Sequence, residues 1–240
     1  MVFERGGIGR FLKRGRFLWL LVSLVFVLAV APLLDDELLG SLVMLSGLTA
    51  VFATGVFANQ HRRGVVIASA VVAVLALPTL WSTLIDDSVP LKLGGVLLAI
   101  LFCVVTSTLI LTAVVKDLTA TPDAVFGAIC VYLLMGLGWA LAYSAIEFTI
   151  EDSPKAMSHA VIHSNGEFIY AFSDVVYFSF VTMSTLGYGD MIPNTPLCRT
   201  LAWLQSIAGQ FYLAVLVARL INMLPHSGEQ RTRRMSPDPQ

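Results

Sequence analysis

The chain has 240 residues, of which 57% are hydrophobic and only 13% are charged, and its mean hydropathy is +0.81. Soluble domains average about 25% charged residues, so this composition excludes a monomer dissolved in water and indicates a membrane protein. The formal net charge of −1 gives no sign of a nucleic-acid partner, and the positions of the charges are more informative than their sum.

Residues 1–16 are predicted to be a basic cytoplasmic N-terminus, followed by the first apolar stretch at 17–34. A basic start, an apolar stretch and the triplet Ala29-Val30-Ala31 are also typical of a cleaved signal peptide. Cleavage there would leave Pro32 as the first residue, and the segment lies at the upper end of signal-peptide length. We therefore expect the segment to be retained as a helix.

Six apolar stretches each approach the roughly 20 residues that a helix needs to cross a bilayer. They are 17–34, 38–58, 64–85, 91–115, 125–147 and 200–224. A seventh stretch, 173–184, is too short to span. The sequence therefore predicts an all-α membrane protein with six transmembrane helices and one short re-entrant helix.

The basic residues predict the orientation of these helices, because cytoplasmic loops carry an excess of Lys and Arg. With the N-terminus inside, 12 of the 15 basic residues are cytoplasmic. The three that remain outside are Lys92, Lys155 and Arg199. Both termini, including the short tail at 225–240, are therefore expected in the cytoplasm of a cell, with a prokaryotic inner membrane as the setting.

The first four predicted helices, residues 17–116, form a domain with few charges inside its spans. Its fourth stretch carries only Lys92 at the outer edge and Lys116 just beyond the inner end. Pumps and proton-coupled carriers require ionisable groups inside the membrane, and none is central to any span. The sequence assigns no function to this domain, and no enzyme motif appears, so we expect no catalytic activity.

The most informative motif is Thr185-Leu186-Gly187-Tyr188-Gly189-Asp190, between the short stretch and the last span. Rings of backbone carbonyls can replace the hydration shell of an ion inside a membrane. Aiming successive carbonyls in one direction requires backbone conformations that residues with a Cβ adopt only under strain, which explains the two glycines. Because one strand supplies a quarter of each ring, four copies of the chain are expected to assemble.

This motif resembles the signature filter of the potassium channel family, written T-V-G-Y-G-D, with Leu186 in place of Val. The resemblance implies a pore domain at 117–224, divided into an outer helix at 125–147, a turret at 148–172, a pore helix at 173–184, a selectivity filter at 185–190 and an inner helix at 200–224. It implies that K⁺ binds the carbonyls of Thr185, Leu186, Gly187 and Tyr188 and the Thr185 hydroxyl. Gly189 would close the outer end.

The resemblance also implies a set of residues that support the filter. Tyr188 is expected in an aromatic cuff with Tyr177 and Phe178, where many family members carry a Trp pair. The Tyr177 hydroxyl is able to bond Asp190, whereas Phe178 is not. The Leu186 side chain is expected to face the pore helix.

Two further positions depart from the family or remain open. Val181 occupies a position that is acidic in some bacterial members, so the filter support is expected to be looser or differently connected. Glu147 lies where the family often has a Glu bonded to the backbone behind the filter. A carboxylate that merely ends a span at the interface explains Glu147 equally well.

Gly209 lies 19 residues after Asp190, where the family commonly places a hinge glycine. A glycine inside a helix costs about 1 kcal/mol relative to alanine, so it usually has a bending or a packing reason. We expect a gating hinge, with close helix packing as the alternative.

The sequence thus predicts a homotetrameric, potassium-selective channel that conducts K⁺ passively, contacts membrane lipids and needs no cofactor. The fourth helix lacks the repeated Arg or Lys of a voltage sensor, so strong voltage gating is not expected. The alternatives are a subunit of a potassium-uptake transporter and a weakly selective cation channel.

The remaining histidines and cysteines are expected to have minor roles. His159 and His163 lie in the turret, where they are either solvated loop residues or a site that senses external pH or binds a metal. Cys103, Cys130 and Cys198 are expected to be buried free thiols.

Overall fold

The structure is a computed structural model, and it describes residues 15–30, 37–58, 63–82, 88–116, 122–151, 160–163 and 172–223. These residues form seven helices and two short strands. In chain order they are α1 (Arg16–Val30), α2 (Glu37–Ala58), α3 (Arg63–Ser82), α4 (Val89–Lys116), α5 (Pro122–Glu151), β1 (Val161–His163), α6 (Phe172–Met183), β2 (Met191–Pro193) and α7 (Pro196–Met223). The predictions for the N-terminus, His159, most of the turret and the tail lie outside these ranges.

Within the described residues, three helices are long and apolar enough to cross a membrane. They are α4, α5 and α7, whose qualifying segments are Val89–Val115, Pro122–Thr149 and Pro196–Arg219. The apolar segments of α1, α2 and α3 are shorter, at Phe17–Val30, Leu42–Ala58 and Val66–Ser82. A helix thus lies at each of the six predicted spans, and α6 coincides with the predicted re-entrant helix.

The first five helices pack around one apolar core. The most extensive contact joins α4 and α5, and α1 packs on both α2 and α5. Phe52 of α2 stacks on Phe102 of α4 with ring centroids 4.1 Å apart. Leu20 and Leu24 of α1 are fully buried in this core, so α1 is an integral part of the bundle.

Two contacts bring helix ends together at one end of the bundle. The backbone N–H of Phe17, in the first turn of α1, donates to the Asp123 carboxylate in the first turn of α5 at 3.3 Å. A carboxylate is favourable beside the positive end of a helix dipole. Arg219 of α7 donates to the carbonyl of Val115, at the end of α4, where helix carbonyls lack partners within the helix. One end of the bundle therefore holds the starts of α1 and α5 and the ends of α4 and α7.

The second apolar cluster lies at the opposite end and joins the elements around the predicted filter. Its buried members are Tyr143, Ala160, Val161, Phe178 and Cys198. β1 and β2 form a two-stranded antiparallel pair in which His163 lies opposite Met191. This pair ties the chain that precedes α6 to the chain that follows the filter.

The last helix begins four residues earlier than predicted, at Pro196 rather than Thr200. The Thr195 hydroxyl accepts a hydrogen bond from the Cys198 backbone N–H at 3.2 Å, which makes Thr195 an N-cap. Proline is favoured at the first helical position, because its missing N–H would have no partner there. The pair Thr195-Pro196 is therefore the start signal of α7.

Candidate functional site

The pore helix α6 ends in a backbone motif that leads directly into the predicted filter. The Leu186 N–H donates to the Val181 carbonyl at 3.0 Å, and the Thr185 N–H donates to the Thr182 carbonyl at 3.0 Å. This pair of bonds is a Schellman motif, which requires a left-handed residue just after the helix. Thr185 occupies that position with φ of 59°.

A threonine at this position is unusual, because the left-handed conformation normally selects glycine. For a residue with a branched Cβ, it costs about 1–3 kcal/mol, and such strain concentrates at functional sites. The Thr185 hydroxyl donates to the Ser184 carbonyl at 2.6 Å. Glycine would remove the strain but also the hydroxyl, so the strain points to a function for that oxygen.

The predicted filter continues with a regular alternation of backbone conformation. Gly187 and Gly189 also have positive φ, at 55° and 78°. Among the described residues Thr185 is the only non-glycine with positive φ, so Leu186 and Tyr188 between them are not left-handed. Residues 185–189 therefore alternate between left-handed and other backbone conformations, and two of the three left-handed positions are glycines.

The side chains of Leu186 and Tyr188 are exposed in the single chain, at 55% and 66%. A Cβ built on Gly187 or Gly189 would meet nothing within 4 Å. The conformation of the two glycines, rather than lack of space in the single chain, therefore disfavours other residues there.

Asp190 joins the outer end of the filter to the pore helix. One of its carboxylate oxygens accepts from the Tyr177 hydroxyl at 2.7 Å, and the other accepts from the Met191 backbone N–H at 3.0 Å. The bond from Tyr177 is the main reason that the pKa of Asp190 lies below its usual value. The structure thus brings together the two residues that the sequence paired.

The structure places Phe178 differently from its predicted position in the cuff. Phe178 is buried and packs edge-on against Tyr143 of α5, with ring centroids 5.1 Å apart. The physical reason is helical periodicity, since neighbouring residues of a helix point about 100° apart. Once Tyr177 faces Asp190, Phe178 turns toward the interior of the same chain.

Glu147 and Val181 each accept hydrogen bonds from backbone N–H groups in this region. The Glu147 carboxylate accepts from the Ala160 backbone N–H at 2.6 Å, so it holds the segment that leads into β1. The Val181 carbonyl accepts from the N–H groups of Leu186 and Gly187. Val181 therefore contributes to this region through its backbone carbonyl.

A buried polar network behind α6 was not predicted from the sequence. The Gln205 side chain of α7 is fully buried and accepts from the Tyr143 hydroxyl at 2.9 Å. Its amide donates to the Ser179 carbonyl and hydroxyl at 2.8 and 2.7 Å, and Ser179 donates to the Gly136 carbonyl at 2.7 Å. A fully partnered network of this kind fixes one arrangement of the helices.

Two glycines set the distance between the pore helix and its neighbours. A Cβ on Gly209 of α7 would lie 2.5 Å from the Met183 carbonyl oxygen, and a Cβ on Gly136 of α5 would lie 2.5 Å from the Phe180 ring. Both contacts are too close for a real Cβ. Gly209 thus has a packing role in this structure, which is the alternative to the predicted hinge.

Two polar residues of α7 reach the end of α6 and the start of the filter. Ser206 donates to the Thr182 carbonyl at 3.0 Å, and the Gln210 amide donates to the Thr185 hydroxyl at 3.2 Å. They are four residues apart and share one face of the helix. α7 is therefore hydrogen-bonded to both the pore helix and the filter.

The histidines and cysteines show no sign of a metal site in the described part of the chain. No group of three or more His, Cys, Asp or Glu side chains converges there. The three cysteines are buried free thiols, which confirms the prediction. His163 lies in β1, whereas His159 lies outside the described residues.

Comparisons with known proteins match one family model and two potassium channels. A family model described as "Ion channel" matches residues 154–225. The inward rectifier potassium channel Kirbac3.1 of Paramagnetospirillum magnetotacticum is 36% identical over 84 residues, which cover 35% of this chain and 24% of that protein. The two-pore potassium channel 1 of Arabidopsis thaliana is 38% identical over 56 residues, or 23% of this chain and 15% of that protein.

The chain therefore matches less than a quarter of the length of either relative, and no solved structure gives a significant match. The family model covers most of the predicted turret, α6, the predicted filter and α7. Residues 154–225 are thus similar to ion channel domains, and the two matched relatives are named as potassium channels, the family that the filter motif resembles.

Proposed function

We propose that this protein is a potassium-selective channel in which four chains surround one axis and conduct K⁺ passively. The permeant ions would bind the carbonyls of Thr185, Leu186, Gly187 and Tyr188, with the Thr185 hydroxyl at the inner end and Gly189 at the outer end. No catalytic step is involved.

The observation that carries this proposal is the alternation of φ along residues 185–189. In a regular strand, successive residues face opposite sides. When every second residue is left-handed, successive carbonyls turn toward the same side. A line of carbonyls on one side of a short segment is what coordination of a dehydrated cation requires.

Assembly into a tetramer is supported by the surfaces that the single chain leaves uncovered. α7 is apolar, yet only 11% of its most apolar stretch is buried, compared with 56% for α5. Phe211 and Val215 on α7 are exposed at 68% and 65%, and Leu186 and Tyr188 of the predicted filter are exposed as well. Apolar patches of this kind mark contact with lipid or with another chain, and a single filter strand needs three partners.

The predicted six-helix topology is supported by the shared end of the bundle described above. Helices α1 and α5 start on the side where α4 and α7 end, which agrees with a bundle whose successive helices alternate in direction. With the positive-inside rule, this side would be cytoplasmic in a cell membrane.

The absence of strong voltage gating is inferred from α4. Moving one charge through the membrane field yields about 2.3 kcal/mol per 100 mV, and α4 contains charged residues only at Lys92 and Lys116. We expect voltage dependence that is weak and arises in the filter itself.

Recording from purified protein in planar bilayers, with KCl on one side and NaCl on the other, tests this function. We expect a reversal potential close to that of a purely K⁺-selective membrane, and a conductance that changes little with voltage. A reversal potential near zero would instead show a weakly selective cation channel. A steep sigmoidal relation between conductance and voltage would contradict the interpretation of α4.

A further inference from the structure

The side chain of Gln210 lies beside the innermost predicted ion site, although the filter motif does not include it. Its amide nitrogen is 3.2 Å from the Thr185 hydroxyl oxygen, and the Gln210 residue is exposed in the single chain. Gln210 follows Gly209, whose lack of a Cβ allows α7 to approach the Met183 carbonyl. The close packing at Gly209 therefore brings Gln210 to Thr185.

The hydrogen bonds of Thr185 determine what Gln210 does there. A hydroxyl has one hydrogen to donate and two lone pairs to accept with. The Thr185 hydrogen is given to the Ser184 carbonyl at 2.6 Å. Gln210 must then present its amide N–H to Thr185, which occupies one lone pair. One lone pair of the Thr185 oxygen remains.

Building on the proposed function, we propose that Gln210 is a positioning residue for the innermost K⁺ site. Its amide and the Ser184 carbonyl together fix the rotation of the Thr185 hydroxyl, so that the remaining lone pair is available to the ion. Four copies would set four hydroxyl oxygens in the same orientation. Without Gln210, each hydroxyl would keep only the bond to Ser184.

The backbone of Thr185 supplies a second reason for this arrangement. The left-handed Thr185 is strained, so its geometry depends on contacts outside the helix end. Ser206 holds the Thr182 carbonyl from the same face of α7 at 3.0 Å. Ser206 and Gln210 thus fix the start of the filter at two points, and only Gln210 contacts an atom that is expected to touch the ion.

Calorimetric titration of the purified assembly with Ba²⁺ tests this role without relying on ion flux. Barium is a divalent cation close to K⁺ in size, so it reports on the same oxygen ligands. We expect Gln210→Met, which keeps the length of the side chain but removes the donor, to weaken Ba²⁺ binding about tenfold. The control Thr200→Val, which removes a bond within α7 from Thr200 to Pro196, should leave the affinity unchanged.

A double-mutant cycle separates positioning from a general structural effect. In a Thr185→Val background there is no hydroxyl to orient, so Gln210→Met should cause no further loss of Ba²⁺ affinity. An equal loss in both backgrounds would overturn the inference, as would an unchanged affinity of Gln210→Met itself. If Gln210→Met does not assemble, Gln210→Leu provides the same test.

The outcomes also separate this inference from the proposed function. A wild-type protein that neither binds Ba²⁺ nor passes K⁺ would contradict the channel itself. A wild-type protein that does both, with Gln210→Met indistinguishable from it, would contradict only the role of Gln210.

Discussion

Thr185 combines the two requirements of the filter in one residue. It ends the pore helix in a left-handed conformation, and it offers a hydroxyl beside the first carbonyl of the filter. Glycine would satisfy the first requirement, and a right-handed threonine only the second. The cost of the strain is offset by the hydrogen bonds to Thr182, Ser184 and Gln210.

Asp190 fixes the outer end of the predicted filter, because its carboxylate accepts hydrogen bonds from both Tyr177 and Met191. Its pKa is lowered in the folded protein, mainly by Tyr177. The stability that this carboxylate contributes is therefore present above the pKa of the unfolded chain, and it is lost as the pH falls through the folded pKa.

Replacement of Tyr177 by Phe should make conduction more sensitive to external acid. Without the hydroxyl, the pKa of Asp190 moves back toward its usual value, so the carboxylate becomes protonated at a higher pH. We expect the midpoint of acid inhibition of K⁺ flux in liposomes to shift upward in Tyr177→Phe. Tyr212→Phe, which removes a tyrosine hydroxyl bond to Ala128 far along α7, is the matched control and should keep the wild-type midpoint. Coincident midpoints for Tyr177→Phe and wild type would contradict the role of this bond.

The pore helix α6 is held between two close helix contacts and a buried network. Gly136 of α5 and Gly209 of α7 allow the approach, and Gln205 joins α5, α6 and α7 through Tyr143 and Ser179. A polar network inside a membrane bundle is costly unless each member is partnered, and here the partners come from three helices. The position of α6, which leads into the predicted filter, is therefore coupled to the positions of α5 and α7.

Replacement of Gly209 by Ala distinguishes the packing role from the hinge role. If Gly209 is only a hinge, alanine should raise the thermal stability of the assembly, because alanine favours a helix over glycine by about 1 kcal/mol. The 2.5 Å distance to the Met183 carbonyl predicts the opposite, a lower melting temperature. Gly94→Ala in α4 is the control, since a Cβ there would meet nothing within 4 Å, and it should not lower the melting temperature. A stabilised Gly209→Ala protein would support the hinge and contradict the packing role.

The sequence predicted the features that depend on neighbouring residues. The positions of Gly187 and Gly189 follow from backbone geometry, and the pairing of Tyr177 with Asp190 was implied by the resemblance of the motif to the potassium channel filter. The approximate position of each helix follows from its run of apolar residues. These features require no knowledge of how distant helices cross.

Other features could not be predicted, because they depend on contacts between distant segments. The partners of Gln205 and Gln210 are set by the crossing of α7 over α6, which a single sequence does not specify. The inward position of Phe178 depends on the same packing. The early start of α7 was an exception, since Thr195-Pro196 is a local signal that the long apolar run at 200–224 obscured.

The proposed tetramer would explain the exposed surfaces of the single chain. The first five helices share one core, whereas α7 and the filter residues leave large apolar side chains uncovered. Four copies around an axis would place these surfaces against one another and bring the four filter strands together. The helices that lie farther from this axis would then face lipid.

Ion flux through Gly187→Ala protein in liposomes tests most directly whether ions pass along the carbonyls of residues 185–189. Alanine fits the space at this position but disfavours φ of 55°, at a cost of about 1–2 kcal/mol, so the carbonyl line should break. We predict that Gly187→Ala forms tetramers of the same size as wild type in detergent and passes no K⁺. Wild-type K⁺ flux through Gly187→Ala tetramers would show that the ion path lies elsewhere in the molecule.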